Sequence, residues 1–532
     1  MNYPRFMISK TFFTLLLTIT FCLIAACGFT AEKHGFQRSI PDKKLIVKKA
    51  AKIDSGRYPD ADTAMIHRER FIRYDRQGLY NKWDETYIKA LSESGRKELK
   101  NISSTFTIPY STTRFTTAEI IKPDGTTRPV NIEKNSRTMV ERSQMSANIY
   151  NPDKRVLKLN IPEIEVGDVL HCVIHDRYDK IRTPETFSDT IFFEKFYPIV
   201  FSRTTLVAPE TLPLEHIAVL NKSGKTLAYQ QDKKNKQIRY QWTAENVPQA
   251  HPEPDMPPFY NVAQKVLVST ISDWEWVSRW YWNLCEPNLE KISPQMRKKV
   301  KDLTAGLESE QEKIRAIFNW VSQKIRYLGL TVEKNAPGYE PHPVSMTFEN
   351  RAGVCRDKAA LLASMLRIAG FRAYPALIMN GPKKNPEVPT PFFNHAVTAV
   401  KKPDGSYLLM DSTDESTVRM FPAYLNNQSY LVASPEGEKL RTSPIIAAEK
   451  NMMLVTTNAT LNSSGNITGR TKLDFKGLND NIYRGQMARM EKQERMNFLE
   501  SGIREHLSSA VIKHCSIEPE NMLNVSKPLK AE

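Results

Sequence analysis

The sequence predicts a multidomain α+β protein: a β-sandwich-like N-terminal domain, an α+β core behind a helical connector, and a β-rich C-terminal domain. Three observations predict it. At 532 residues and 40% hydrophobic, the chain is too long for one core and has apolar material for several. Apolar residues alternate with a period of two from about Lys44 to Ser269, and the period becomes helical from about Ser272. The central third then reads helix, helix, strand, hairpin, the order of an α+β unit.

The first segment is a leader. Arg5 and Lys10 precede an apolar run from Phe12 to Ala26, short for a membrane span and suited to a secretory signal. Ile24-Ala25-Ala26-Cys27 resembles the lipobox of bacterial lipoproteins, which implies that residues 1–26 are removed and that Cys27 carries the lipid. No later stretch approaches the roughly 20 apolar residues of a spanning helix. The expected location is therefore the bacterial cell envelope, as a periplasmic or outer-membrane lipoprotein held to the membrane by its N-terminal lipid anchor. Without residues 1–26, which hold two basic and no acidic residues, 73 basic residues stand against 59 acidic, a formal +14. Such a balance favours anionic surfaces such as lipid headgroups or acidic envelope polymers. The sequence has no zinc finger, RNA-recognition signature or base-reading basic helix, so nucleic acid is not an expected partner.

Residues 44–269 form the β-sandwich-like domain, with alternation in RTMVERSQM and DVLHCVIHDRY and turn signals at Pro123-Asp124-Gly125 and Asn221-Lys222-Ser223-Gly224. A proline-dense link, Gln249 to Phe259, precedes a last short strand. Residues 270–430 hold the helical connector and the core. Ile314, Ile317, Phe318, Val321 and Ile325 share one helical face. A loop rich in Pro and Gly (Asn335 to Pro343) separates them from a second stripe, Ala359, Leu362, Met365, Leu366 and Ala369, which Gly370 stops. Two β-runs follow, FRAYPALIM and then NHAVTAV with SYLLMDS, the last pair joined by a turn at Pro403-Asp404-Gly405. In residues 450–532 a hairpin around Asn462-Ser463-Ser464-Gly465 precedes a helical stretch from Asn481 to Leu507. The final NVSKPLKAE offers no closing element, so a small domain, or one continued in a longer native chain, is expected.

Of six cysteines, Cys22 would leave with the leader and Cys27 is the candidate lipid site, leaving Cys172, Cys285, Cys355 and Cys515. Four in about 500 residues are not a disulfide scaffold, and a free cysteine in an oxidising compartment needs a reason. Cys355 has one. On the first turn of a helix its sulfur faces unsatisfied backbone N–H groups and the positive end of the dipole, which lower a thiol's pKa, and Arg356 and Lys358 add positive potential. The same N–H groups can stabilise an oxyanion. A thiolate nucleophile also needs a proton acceptor, and His395 follows 40 residues later; Asp411, 16 residues further on and across the hairpin turn, can orient the imidazole.

In this order and spacing G-V-C-R-D-K-A, N-H-A and L-M-D-S-T resemble the transglutaminase-like superfamily, over about Glu310 to Phe421. The resemblance implies a papain-related α+β core in which Cys355 is nucleophile, His395 base and Asp411 orienter. The β-rich half resembles the N-terminal domain that accompanies such cores in bacterial envelope proteins. The expected activity is a cysteine protease or amidase, or an acyltransferase, acting on a peptide or protein substrate through a thioester, with no cofactor and no metal. Two features depart from the pattern. Related cores read Gly-Asp-Cys where this chain has Gly353-Val354-Cys355, and no spacing selects an oxyanion side chain among Trp320, Gln323 and Tyr327.

Blander readings compete at each point. A lone cysteine is more often packed than reactive, and only the ordered His395 and Asp411 reverse that. Asp357 reads as a helix-start acid rather than a catalyst. His171 and His175 flank Cys172, Val173 and Ile174 on a strand, about 13 Å apart, too far to share one ion. Trp274, Trp276, Trp280, Tyr281 and Trp282 could stack on sugars, yet their spacing suits a helix face in a core. The rival function is a non-catalytic envelope scaffold that binds glycan or protein. A calcium-dependent cross-linker has little support without an EF-hand loop or a dense acidic cluster.

Overall fold

The computed structural model describes residues 35–143, 145–221, 227–330 and 338–532. The expected leader with Cys27, residues 222–224 of the turn at Asn221 and the start of the loop at Asn335 lie outside the described residues. Among the described residues no helix is long and apolar enough to cross a membrane.

Period-two alternation gives the N-terminal region an eight-stranded sheet in the order Ala228–Lys234, Gln237–Val247, Ile199–Pro209, Thr63–Tyr74, Tyr80–Ala90, Val169–Tyr178, Ser111–Ile121, Thr127–Pro129. Thr63–Tyr74 and Ile199–Pro209 pair in parallel, which makes this sheet mixed. Two three-stranded sheets supply the second layer. Ser188–Phe192, Lys265–Ser269 and His216–Leu220 bury Ile191, Val266 and Val268 against Ile72, Leu206 and Trp242. Asn101–Thr107, Lys154–Asn160 and Ser136–Val140 help to bury Leu159 against Ile120, Leu170 and Cys172. The region does not begin with a strand: Lys43–Ala50 is a helix capped by Asp42, and its Ile46 and Ala50 pack on Ala64, Ile66 and Tyr87.

The connector is three helices, Trp274–Leu289, Pro294–Thr304 and Glu310–Lys324, the last opened by a capping box between Ser309 and Glu312. The stripe from Ile314 to Ile325 is buried against Leu361, Leu362 and Met365. Trp274, Tyr281 and Trp282 are buried in the core and Trp276 and Trp280 pack at its margin. The helix Cys355–Ile368 differs from the one-faced helix its stripe predicts. Every residue from Arg356 to Leu366 is buried, because the helix lies between the connector helices and a sheet, while Ala369 is only half-buried. That sheet is antiparallel, in the order Tyr407–Met410, His395–Lys401, Ala373–Ile378, Ser429–Val432, Arg441–Thr442. The hydroxyl of Thr398 donates to the Ala359 carbonyl at 3.0 Å and ties the sheet to the helix.

At the C-terminus the hairpin Met453–Leu461 and Ile467–Phe475 turns at Gly465, whose φ of +81° is open to glycine. Two helices follow, Leu478–Met487 and Lys492–His506, in place of one continuous stretch. Strands Ile517–Glu518 and Lys530–Ala531 complete a four-stranded sheet with the hairpin.

Candidate active site

Cys355 is the first residue of its helix, delivered by the strand Ala352–Gly353, which pairs in parallel with Arg326–Tyr327. Gly353 must be small: a Cβ there would lie 2.7 Å from Asp357 Cβ and 3.1 Å from Thr347 Cγ2. Val354, the N-cap, has no side-chain acceptor to offer the helix, so capping is one-sided. Asp357 Oδ2 accepts the Val354 N–H at 3.0 Å, while Asp357 Oδ1 accepts the His342 N–H at 2.9 Å and lies 3.1 Å from His342 Nδ1. Asp357 is thus the helix-start acid its position indicates, and its hydrogen bond raises the His342 pKa.

His395 opens its strand and Asp411 follows the end of the neighbouring one. The ladder pairs Thr398 with Met410, so Asp411 is not directly opposite His395 but diagonal to it, and its carboxylate reaches back. His395 Nε2 and Asp411 Oδ2 are 2.8 Å apart. Three further bonds fix the carboxylate: Tyr424 OH donates to Oδ2 at 3.0 Å, and the Thr413 N–H and hydroxyl donate to Oδ1 at 3.0 and 2.7 Å. Burial would raise the Asp411 pKa, yet the imidazole and these donors hold it down at about 2. Burial pushes the His395 pKa down, but the Asp411 charge and hydrogen bond, together with the neighbouring Cys355 side chain, carry it well above the usual histidine range. With Nε2 taken by Asp411, Nδ1 is the ring nitrogen left for the sulfur. The structure thus brings the sequence-derived trio together: a 2.8 Å bond joins His395 to Asp411, and the Cys355 side chain is near enough to act on the ring.

Of the three oxyanion candidates, two are engaged elsewhere. Trp320 packs on Phe348 and lies under the Arg351 guanidinium, and Gln323 Nε2 donates to the Leu523 carbonyl at 2.8 Å. Tyr327 lies against Cys355: burial and the Cys355 side chain push its phenol pKa up, and the Cys355 backbone N–H pulls it down. Its register opposite Gly353, two residues before the cysteine, puts it there. Sequence spacing could not supply that pairing. Nor did it indicate Thr413 or Tyr424, whose roles arise where the chain leaves the sheet.

The cation at position 358 also differs from its expected part. Lys358 is buried and its Nζ donates to the Ser322 carbonyl at 3.1 Å and to the Ile325 carbonyl at 2.5 Å, closing the C-terminal end of Glu310–Lys324. Burial, partly offset by Asp411 and Glu415, brings its pKa down to about 8.

The N-terminal region takes part as well. Its strand Ile149–Tyr150 pairs in parallel with Gly329–Leu330, and the Gly329 N–H donates to the Asn148 carbonyl at 3.0 Å. A Cβ on Gly329 would lie 2.4 Å from Val354 Cγ1 and 3.9 Å from Ile149 Cγ1. Val354, which departs from the Gly-Asp-Cys pattern, is therefore packed over Gly329. Because the valine is buried and branched, it has little room to yield. Gly329→Ala should destabilise the fold by about 1–3 kcal/mol, seen as a lower unfolding midpoint, and slow alkylation of the adjacent Cys355.

Other cysteines and histidines lie outside this centre. Cys172, Cys285 and Cys515 are free thiols, and burial raises the pKa of each, Cys172 to about 12. His171 lies between Glu119 Oε1, 2.6 Å from Nδ1, and Glu85 Oε1, 3.0 Å from Nε2, with its ring stacked on Tyr87. His175 Nε2 is 2.9 Å from Asn81 Oδ1 and its ring stacks on Trp83. Each ring has its own protein partners.

Fold and site together define an α+β core that brings a thiol, an imidazole and a carboxylate together. Residues 297–412 match the transglutaminase-like superfamily, and residues 79–250 match DUF3857, a domain of unknown function with solved structure. The chain carries a transglutaminase-like core preceded by a DUF3857 domain. A crystal structure from Parabacteroides distasonis, provisionally described as a protease, shares the architecture at TM-score 0.56 and 12% identity, over 74% of this chain and 77% of that one. At that identity the likeness shows the fold alone. A protein from Cytophaga hutchinsonii, provisionally described as a cysteine protease, aligns at TM-score 0.20 and 16% identity over 44% of this chain and 80% of its own. The periplasmic domain of TgpA from Pseudomonas aeruginosa aligns at TM-score 0.19 and 17% identity over 42% of this chain and 88% of its own. Scores that low carry no argument. No curated protein matches the chain.

Proposed function

We propose that the protein is a cysteine hydrolase of peptide or amide bonds that works through a thioester on Cys355. The convergence of Cys355, His395 and Asp411, with the imidazole bonded to the carboxylate at 2.8 Å and the Cys355 side chain beside the ring, carries this reading. His395 Nδ1 accepts the thiol proton as sulfur attacks the carbonyl carbon, and the carbonyl π electrons move onto oxygen. The Cys355 N–H and the Tyr327 hydroxyl, which lie next to one another, are the donors that this oxyanion can recruit. Collapse re-forms the carbonyl and breaks the C–N bond, and the imidazolium gives its proton to the departing amine. Water then loses a proton to His395, attacks the thioester and releases an acid and the restored thiol. An amine in place of water would give a transpeptide or cross-link by the same steps. Hydrolysis is favoured because it needs no second amine site.

Export belongs to the same reading, with Cys27 as lipid anchor and envelope peptides or proteins as substrates. Incubating wild type and Cys355→Ala with envelope peptides and recording masses tests the chemistry. Cleavage or loss of ammonia with the wild type alone is expected, and new amide links would assign the transferase instead. Iodoacetamide near neutral pH should alkylate Cys355 faster than Cys515, with a rate that falls in His395→Ala. A slow rate that ignores His395 would leave a tethered scaffold.

A further inference from the structure

A groove of about 1140 Å³ opens beside the triad. Tyr327 and Thr413 line it; Tyr327 lies against Cys355 and Thr413 bonds Asp411, so the groove begins one side chain away from the reacting atoms. Ser146 and Asn148 of the N-terminal region and both C-terminal helices contribute to its lining.

Its titratable lining balances in formal charge, with Arg326, Lys358 and Arg489 against Asp414, Glu415 and Glu494. Net potential therefore does not choose a ligand; free hydrogen-bonding capacity does. Lys358 is committed to two carbonyls. Asp414 Oδ1 accepts the Ser416 N–H and hydroxyl, and its Oδ2 accepts Asn481 Nδ2 at 2.6 Å. Glu494 accepts the Glu491 N–H as a helix cap. Arg326 and Arg489 are exposed, and neither guanidinium has a partner among the described residues. One comes from the strand that carries Tyr327 and the other from just beyond the helix Leu478–Met487. Glu415 is the one acid left uncommitted. Two planar forks of N–H donors beside one free carboxylate suit an incoming acceptor that can be held bidentately.

We propose that this groove binds a peptide segment carrying a carboxylate, held by Arg326 and Arg489 next to the scissile bond. The inference rests on the hydrolase reading for the word scissile, but the binding does not. The carboxylate can come from an acidic side chain or from a free C-terminus, and the test separates the two. Full-length Cys355→Ala is titrated by fluorescence anisotropy with three dye-labelled hexapeptides of one sequence: a neutral Gln peptide amide, its Glu counterpart as amide, and the Gln peptide with a free C-terminus. At least one carboxylate peptide should bind about tenfold or more tightly than the neutral one. That gain should disappear in R326Q/R489Q, persist in Glu415→Gln, and shrink as salt rises from about 50 to about 300 mM. Equal affinities, a gain that survives R326Q/R489Q, or no binding of any peptide would overturn the proposal. Iodoacetamide labelling of wild type reads the triad separately, so loss of the groove and loss of the hydrolase are distinguishable.

Discussion

Asp411→Asn should lower kcat/KM by about 10²–10⁴-fold, approaching the complete loss expected for Cys355→Ala, while the fold persists. All four groups around this carboxylate can donate: His395 Nε2, Tyr424 OH, and the N–H and hydroxyl of Thr413. An amide offers one oxygen and one NH₂. If NH₂ faces His395, the ring must present its Nε2 lone pair and carry its proton on Nδ1, where it cannot accept one from sulfur. If NH₂ faces Thr413, two donors meet in a buried site. The pH profile gives a second readout. Asp411, held at about 2, stays ionised throughout the working range, and its charge is the main influence raising His395. In the proposed reaction the protonated ring delivers a proton to the leaving amine, and that form is lost as pH rises through its pKa. The alkaline limb of kcat/KM should therefore lie well above pH 6.5 in the wild type and move downward in Asp411→Asn. Tyr424→Phe removes one donor without changing the charge and should leave the limb nearly in place. An unchanged limb in Asp411→Asn would remove Asp411 from the mechanism.

The three positions that the structure brings together are legible in sequence because each is tied to a local signal: a helix start for Cys355, a strand flanking a turn for His395, and the far end of that turn for Asp411. A hairpin turn fixes register over a few residues, so sequence distance stands in for spatial distance there. Tyr327 was not selected because its position depends on a parallel pairing with Ala352–Gly353, about 26 residues away in sequence, and no turn sets that register. The contribution of Ile149, some 200 residues from Cys355, is a contact between domains and leaves no periodic trace. Helical periodicity found Ile314 to Ile325, whose opposite face meets solvent. It understated the helix after Cys355, where Arg356 and Lys358 look like surface residues yet are buried with their donors on backbone carbonyls. The opening helix Lys43–Ala50 escaped a period-two reading because eight residues, four of them lysine, give little apolar pattern of either kind.

The largest stability effect is expected at the C-terminus, at the ion pair between Asp480 and Arg484. Arg484 has no exposed surface, and its Nε and Nη2 meet the Asp480 oxygens at 2.7 and 3.0 Å. The same guanidinium donates to the Met522 and Lys527 carbonyls at 3.0 and 2.8 Å, and Asp480 also accepts the Leu529 N–H at 2.8 Å. One pair thus clamps the last segment onto the helix Leu478–Met487. Asp480→Ala strands a buried cation and a backbone N–H, which costs about 3–5 kcal/mol, a large share of the roughly 5–15 kcal/mol that holds a domain folded. Hydrogen exchange should show residues 478–531 opening first, with the sheet carrying His395 still protected. Asn481 from this helix bonds Asp414 of the core, so opening should loosen the groove beside the triad without disturbing the triad itself. The variant should therefore keep the wild-type rate of Cys355 alkylation by iodoacetamide while its affinity for carboxylate peptides falls. Loss of both together would mean that the C-terminal helices support the reactive centre as well as the groove.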